Sequence, residues 1–288
     1  SGAGPFLVSG TNTAGEVAIV QSAASTVTIS NLVLATSDLA PYAVRASGSP
    51  RLLLAGANEL TATAAAAVDV PDGIQLSIDC AEGCADASLT AVGGTKAAAI
   101  GGGPQKPQGM INIYGGRIVA TGGESAAAIG SGGYAYAATS VVGEVCIYGG
   151  YVTASAGSGA AALGGGYDSI FGDVEIHGGT VDAGGAEDRE NDIGNGWHVG
   201  GRTVRICGGS VLARAAKINL SPTDGRHVAV WCVTVEGLEG LVSLEGLGGY
   251  GTNDLYPVDG KVYLWLPNGE YRFFVRSAEG VGCYEAVV

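Results

Sequence analysis

Residues 143–154 read GEVCIYGGYVTA, and the same pattern occurs three more times along the chain. In every copy a glycine precedes a short alternation of apolar and other residues, Gly-Gly follows, and a second alternation ends at alanine. The other copies are GMINIYGGRIVA (109–120), GDVEIHGGTVDA (172–183) and GRTVRICGGSVLA (201–213), the last with one extra residue before its glycine pair. Self-similarity at a nearly constant spacing is the sequence signature of a repeat protein.

A second motif alternates with the first and has an Ile or Leu between small residues. It reads AAIGGG (98–103), AAIGSG (127–132), AALGGG (161–166) and NDIGNG (191–196), so its apolar residue recurs at intervals of 29, 34 and 30 residues. Short strands separated by glycine corners are typical of a parallel β-helix, whose successive coils lie about 4.8 Å apart. Alanine runs also favour α-helix, but runs this short between glycines argue against it.

The repeat ends near Arg226, where the composition changes. From Val228 onward the strands are longer and richer in aromatic residues, and Pro-Asn-Gly at 267–269 is typical of a hairpin turn. We therefore predict an all-β chain with two parts. Residues 1–228 form a parallel β-helix, and residues 229–288 form a small antiparallel β domain or a cap on the end of the solenoid.

Charge and hydropathy exclude several classes of partner. The chain has 27 acidic and 14 basic side chains, a net charge of −13, which repels the phosphates of nucleic acid and of anionic lipid. No uninterrupted apolar stretch reaches the ~18 residues that a membrane span requires. We expect no nucleic acid partner, no membrane insertion, and a neutral or cationic ligand.

The six cysteines are too few for a disulfide scaffold. Cys80 and Cys84 lack the second pair, or the histidines, that a zinc site needs, so either a local disulfide or two buried thiols is expected. Cys232 and Cys283 lie near the two ends of the predicted C-terminal part and could bridge.

The two glycine-rich motifs together resemble those of Gly/Ala-rich surface proteins of gut bacteria, which are often labelled carbohydrate-binding. The resemblance covers roughly residues 95–275. It implies a right-handed parallel β-helix of the pectate-lyase-like kind, located outside the cell as a secreted or cell-surface protein, with a glycan or polysaccharide as its partner. Proteins of such folds include sugar-binding modules, polysaccharide lyases, glycosidases and structural stalks, and fold alone does not choose among them.

Aromatic residues follow the second motif in three consecutive coils. They are Tyr134 and Tyr136, then Tyr167, then Trp197. If they align along one flank of the solenoid, their faces can stack on the C–H faces of sugar rings, with Arg202 as a nearby cation. The competing interpretation is that these aromatics only pack over the base of the loops.

Acidic residues concentrate in the segment 187–192, where other coils carry small residues. Asp192 replaces an alanine of the repeat, which is costly unless the carboxylate is used or paired. Paired with Asp168, Glu175 or Glu190, it would suit glycoside hydrolysis, and His198 is the histidine placed to act as acid or base. A Ca²⁺ site and a solvated acidic loop are the alternatives, and no other cofactor is expected. His177 stands where other repeats have Tyr114, Tyr148 or Cys207, which predicts a stacked ladder.

Three functions therefore remain open from the sequence. The first is glycan recognition along the aromatic flank. The second is a glycoside hydrolase acting through paired carboxylates; a lyase is less favoured because lysine is scarce. The third is a structural stalk or adhesin repeat that binds nothing along its length.

Overall fold

A computed structural model describes residues 5–15, 17–136, 143–184, 192–197, 202–213 and 222–288. It confirms an all-β chain in which a parallel β-helix precedes small antiparallel sheets. Within the described ranges, no helical segment has the length and apolar character needed to cross a lipid bilayer.

Each coil of the β-helix contributes up to three parallel strands, and equivalent strands of successive coils pair. The first strands are β5 (Arg51–Ala55), β8 (Gln75–Cys80), β11 (Met110–Ile113), β14 (Val145–Ile147), β17 (Val174–Ile176) and β20 (Val204–Ile206). The second strands are β6 (Ala57–Ala62), β9 (Ser88–Val92), β12 (Arg117–Thr121), β15 (Tyr151–Ser155), β18 (Thr180–Gly184) and β21 (Ser210–Leu212). The third strands are β2 (Ile19–Gln21), β4 (Tyr42–Val44), β7 (Val68–Asp69), β10 (Ile100–Gly101), β13 (Ile129–Gly130), β16 (Leu163–Gly164) and β19 (Ile193–Gly194).

Near the N-terminus one long strand replaces the first two. β3 (Thr26–Thr36) pairs with β5 through its first half and with β6 through its second half, and so joins the two sheets. β1 (Phe6–Gly15) pairs with β3 along its length.

The core is built from identical positions of successive coils. Ile113, Ile147, Ile176 and Ile206 are register partners, and all of them are buried. The Ile-Gly of the second motif forms the short third strand, and its glycine is also a corner, as predicted. The strand forms because its backbone groups find partners in the next coil, as where the Ile129 N–H donates to the Ala162 carbonyl at 3.0 Å.

The C-terminal part has two antiparallel sheets. β22 (Trp231–Glu236) pairs with β24 (Lys261–Leu266), and β25 (Glu270–Ser277) pairs with both β23 (Ser243–Glu245) and β26 (Gly280–Val287). A 3₁₀ turn covers Gly248–Tyr250. The predicted boundary between residues 228 and 229 stays a prediction.

All six cysteines are free. Cys80 and Cys84 are half-buried thiols that pack against the solenoid core, which is the second of the two predicted states. The predicted bridge between Cys232 and Cys283 is wrong, because both thiols are free; they lie exposed on β22 and β26.

Candidate functional site

Each of the third strands β13 and β16 ends at a glycine that makes the corner into the following loop. Gly130 and Gly164 have φ of +145° and +124°, and a β-carbon on them would lie 1.9 and 2.2 Å from the carbonyl oxygens of Gly164 and Gly194 in the next coil. Only glycine has both the conformation and the space. These corners fix where the following loops leave the solenoid.

The loop after this corner carries the predicted site. Asp168 donates its N–H to the Trp197 carbonyl, and Tyr134 donates its N–H to the Tyr167 carbonyl, both at 2.8 Å. Tyr134 is therefore the register equivalent of Asp168 and stands one position later than Tyr167 and Trp197. Gly133 occupies the position equivalent to Tyr167.

Three equivalent loop residues have left-handed backbones. Gln105, Tyr134 and Asp168 have φ of 61°, 62° and 50°. This conformation costs a non-glycine residue about 1–2 kcal/mol, and the surrounding structure must compensate. This shared backbone conformation fixes the directions of the Tyr134 and Asp168 side chains on two neighbouring coils.

The aromatic side chains form one contiguous row despite this offset. The ring centroids of Tyr134 and Tyr167 are 5.1 Å apart, and those of Tyr167 and Trp197 are 5.6 Å apart in an edge-to-face arrangement. Tyr136 lies 6.3 Å from Tyr134. Trp197 is 40% exposed and Tyr136 is 60% exposed. We call Tyr134, Tyr136, Tyr167 and Trp197 the aromatic flank.

Charged groups border the aromatic flank. The Tyr136 hydroxyl donates to Oδ2 of Asp168 at 2.8 Å, and this hydrogen bond raises the pKa of Tyr136. The Lys96 ammonium lies over the Tyr134 ring, 4.9 Å from its centroid. The sequence reasoning missed Lys96; its place directly before the Ala97–Ala99 run, in the coil preceding Tyr134, was the available signal.

Asp192 directly precedes the third strand β19, whereas the aromatic flank follows the third strands. It is only 1% exposed, in the column that holds Ala162 in the preceding coil, and its carbonyl accepts the N–H groups of Ala162 and Leu163. Burial, Asp259 and Asp192 together raise the pKa of Asp182. Asp192 therefore contributes to the raised pKa of Asp182, whereas Asp168 borders the aromatic flank through its hydrogen bond with Tyr136.

Glu175 belongs to an ion-pair network. Arg205 donates to it through Nε at 2.7 Å and also through a terminal nitrogen, and His177 contacts it at 2.9 Å. Although burial opposes ionisation, the bonds from Arg205 and His177 lower the pKa of Glu175. Arg205 also contacts Asp173 at 3.2 Å. Glu175 is therefore held by structural partners.

The predicted ladder at His177 is confirmed. Its ring stacks on Tyr148 with centroids 4.9 Å apart, and Tyr148 stacks on Tyr114 at the same distance. The ladder precedes the Gly-Gly corner, whereas the aromatic flank follows the third strand.

Of the remaining predicted residues, Arg202 is exposed, and Glu190 and His198 lie outside the described residues. The acidic segment 187–192 is described only at Asp192. No group of three or more His, Cys, Asp or Glu side chains in the described ranges is arranged to hold a metal ion.

Comparison with known proteins adds no further constraint. No family model, no curated protein and no solved structure matches this chain.

Proposed function

We propose that the aromatic flank binds a glycan chain laid along the axis of the β-helix. The observation that carries this proposal is the contiguous row of Tyr134, Tyr167 and Trp197 across successive coils, with ring spacings of 5.1 and 5.6 Å. Coils advance by about 4.8 Å, close to the length of one pyranose along an extended polysaccharide. Partly exposed aromatic faces are the groups that pack on sugar C–H faces.

Polar groups beside the rings would hold the sugar hydroxyls. Asp168 offers acceptors and Lys96 offers donors at the edges of the row. The net charge of −13 favours a neutral glycan over an acidic one. The resemblance of the glycine-rich motifs to bacterial surface proteins supports the same ligand class and a secreted or cell-surface location.

The test is a panel of immobilised host and plant glycans, scored for both retention of the protein and release of reducing ends. Trp197→Ala should weaken retention about tenfold, the size of a 1.4 kcal/mol contact. Trp231→Ala is the matched control, because Trp231 is similarly exposed, at 48%, but lies on β22 of the C-terminal part.

Two results would count against binding along the flank. One is no retention on any glycan, which would leave a structural stalk as the remaining function. The other is equal loss in both tryptophan variants. New reducing ends in the wild-type incubation would replace simple binding by glycan cleavage; products without an unsaturated end would indicate glycoside hydrolysis, and products with one would indicate a lyase.

A further inference from the structure

A cavity of about 580 Å³ lies between the β-helix and the C-terminal part, at the Gly-Gly corner. Three kinds of group line it: backbone of the corner glycines, aromatic or apolar side chains, and three charged side chains. They include Gly116, Gly150, Tyr256, Leu241, Arg117, Asp86 and Asp254. This volume falls in the usual range for small-molecule sites, about 300–1,000 Å³.

The floor of the cavity is backbone because the corner excludes side chains. A β-carbon on Gly150 would lie 2.6 Å from the Gly116 carbonyl oxygen, and its φ is +83°. Stacked glycines therefore leave a smooth surface at the repeat's Gly-Gly. Arg117 and Tyr151 follow these glycines directly, as register partners on β12 and β15.

The wall opposite is made by the C-terminal part, which docks on one column of the second strands. Tyr256 donates its N–H to the Thr180 hydroxyl oxygen at 2.8 Å, and that hydroxyl donates back to the Tyr256 carbonyl at 3.1 Å. The Tyr256 ring then meets Tyr151 at 5.7 Å, and the Arg117 guanidinium lies 4.5 Å from the centre of the Tyr151 ring. Arg117, Tyr151 and Tyr256 all line the cavity.

The charged side chains of the cavity are available to form hydrogen bonds with a ligand. Among the described residues, no hydrogen bond or ion pair engages the exposed side chains of Arg117, Asp86 or Asp254. Arg117 offers donors and the two aspartates offer acceptors. A ligand whose adjacent groups both donate and accept can use all three, and Tyr256, which is 40% exposed, offers it an aromatic face.

We propose that this cavity binds a neutral pyranose, as a monosaccharide or disaccharide. Vicinal hydroxyls supply the paired donors and acceptors, and the ring's C–H face suits Tyr256. Two aspartates against one arginine, in a chain of net charge −13, disfavour an anionic ligand. The site is separate from the aromatic flank and does not depend on it.

Cys80 provides a readout because it is half-buried and is one of the residues that line the cavity. The wild-type chain is treated with iodoacetamide at mildly alkaline pH, with and without millimolar methyl pyranosides, and alkylation is mapped by mass spectrometry. The exposed Cys232 is the internal reference. We expect at least one methyl glucoside, galactoside, mannoside or N-acetylglucosaminide to slow alkylation of Cys80 and leave Cys232 unchanged.

Variants then locate the protection. Asp254→Asn and Arg117→Gln should each weaken it about tenfold, whereas Arg272→Gln, an exposed arginine on β25, should not. Asparagine tolerates the left-handed backbone of Asp254, whose φ is 59°, so this variant keeps the loop. Protection that survives in both cavity variants, or that is absent with every pyranoside, would overturn the proposal. Protection by free amino acids in place of pyranosides would also overturn it.

Trp197→Ala separates the two sites. This variant should leave protection of Cys80 intact. Loss of protection in it would mean that the sugar binds only at the aromatic flank. Conversely, Cys80 protection without retention on the glycan panel would support the cavity and remove the flank.

Discussion

The ring of Tyr167 occupies the space that a β-carbon on Gly159 would need. That atom would lie 2.2 Å from Cδ2 of Tyr167, and the Gly159 carbonyl also accepts the N–H of Trp197 at 2.9 Å. Gly159 thus helps to position Tyr167 and Trp197, two members of the aromatic flank. The row depends on a residue that has no side chain.

Gly159→Ala should therefore disrupt the row. The new methyl group would push the Tyr167 ring away from Tyr134 and Trp197, and we expect about tenfold weaker glycan retention. Gly73→Ala is the control, since Gly73 has the same φ of +77° and a methyl group added there would meet nothing within 4 Å. The two variants should lose similar stability from backbone strain, and equal glycan retention in them would contradict this role of Gly159.

The corner glycines should matter more for stability than for binding. Gly164 and Gly10 share a φ of +124°, but a β-carbon on Gly164 would meet the Gly194 carbonyl, whereas one on Gly10 meets nothing within 4 Å. We expect Gly164→Ala to lose about 1–3 kcal/mol more free energy of unfolding than Gly10→Ala, the usual cost of overpacking. Urea denaturation measures the difference. Matching midpoints would show that the coils can shift apart at little cost.

Much of the fold was predictable because a repeat constrains itself. The alternation in Ile111–Ile113 and the following Gly-Gly predicted a buried strand and a corner, and both are present. The two-residue third strand was missed because Ile129–Gly130 is too short to show any periodicity. Its strand character comes only from pairing with the coils on either side.

The aromatic flank was predictable only as a group of residues. Tyr134 follows the Ile of its motif by five residues and Tyr167 follows the Leu of its motif by four, and backbone pairing keeps this offset. The rings still meet because long side chains span one step of register. The cavity at Arg117 could not be predicted, since Tyr256 and Asp254 come from a part of the chain that has no repeat.

Stability should fall in acid partly through Asp224. Burial opposes its ionisation, but hydrogen bonds from Tyr250, the Val228 N–H and Arg226 hold its pKa well below the ordinary value. A carboxyl with a lowered folded-state pKa stabilises the fold above its unfolded value of about 3.9, and this contribution is lost as the pH falls through its folded pKa.

Asp224→Asn should therefore lower the free energy of unfolding by about 1.5–3 kcal/mol at pH 7 and flatten its decline below about pH 4. Urea titrations at several pH values measure both effects. Asp254→Asn, which removes an exposed aspartate, should match the wild type in the same titrations. An unchanged acid slope in Asp224→Asn would show that other carboxylates dominate.

Trp265 joins the two parts of the chain. Its side chain is 4% exposed and belongs to the solenoid core, while its neighbours Leu264 and Leu266 on β24 belong to the core of the C-terminal part. Its indole N–H donates to the Val211 carbonyl on β21 at 2.9 Å. One strand therefore buries opposite faces in two cores, which should make the two parts unfold together.

Trp265→Ala should cost about 3–5 kcal/mol, because a large buried side chain and a buried hydrogen bond are both lost. Trp265→Phe should cost less, since it keeps most of the apolar burial. Trp231→Ala, at an exposed site on β22, should stay within about 0.5 kcal/mol of the wild type. Limited proteolysis gives a second readout, because weakened docking in Trp265→Ala should release the C-terminal part as a fragment. If Trp265→Ala resists protease as the wild type does, the contacts at Thr180 and Ser210 are what hold the C-terminal part on the β-helix.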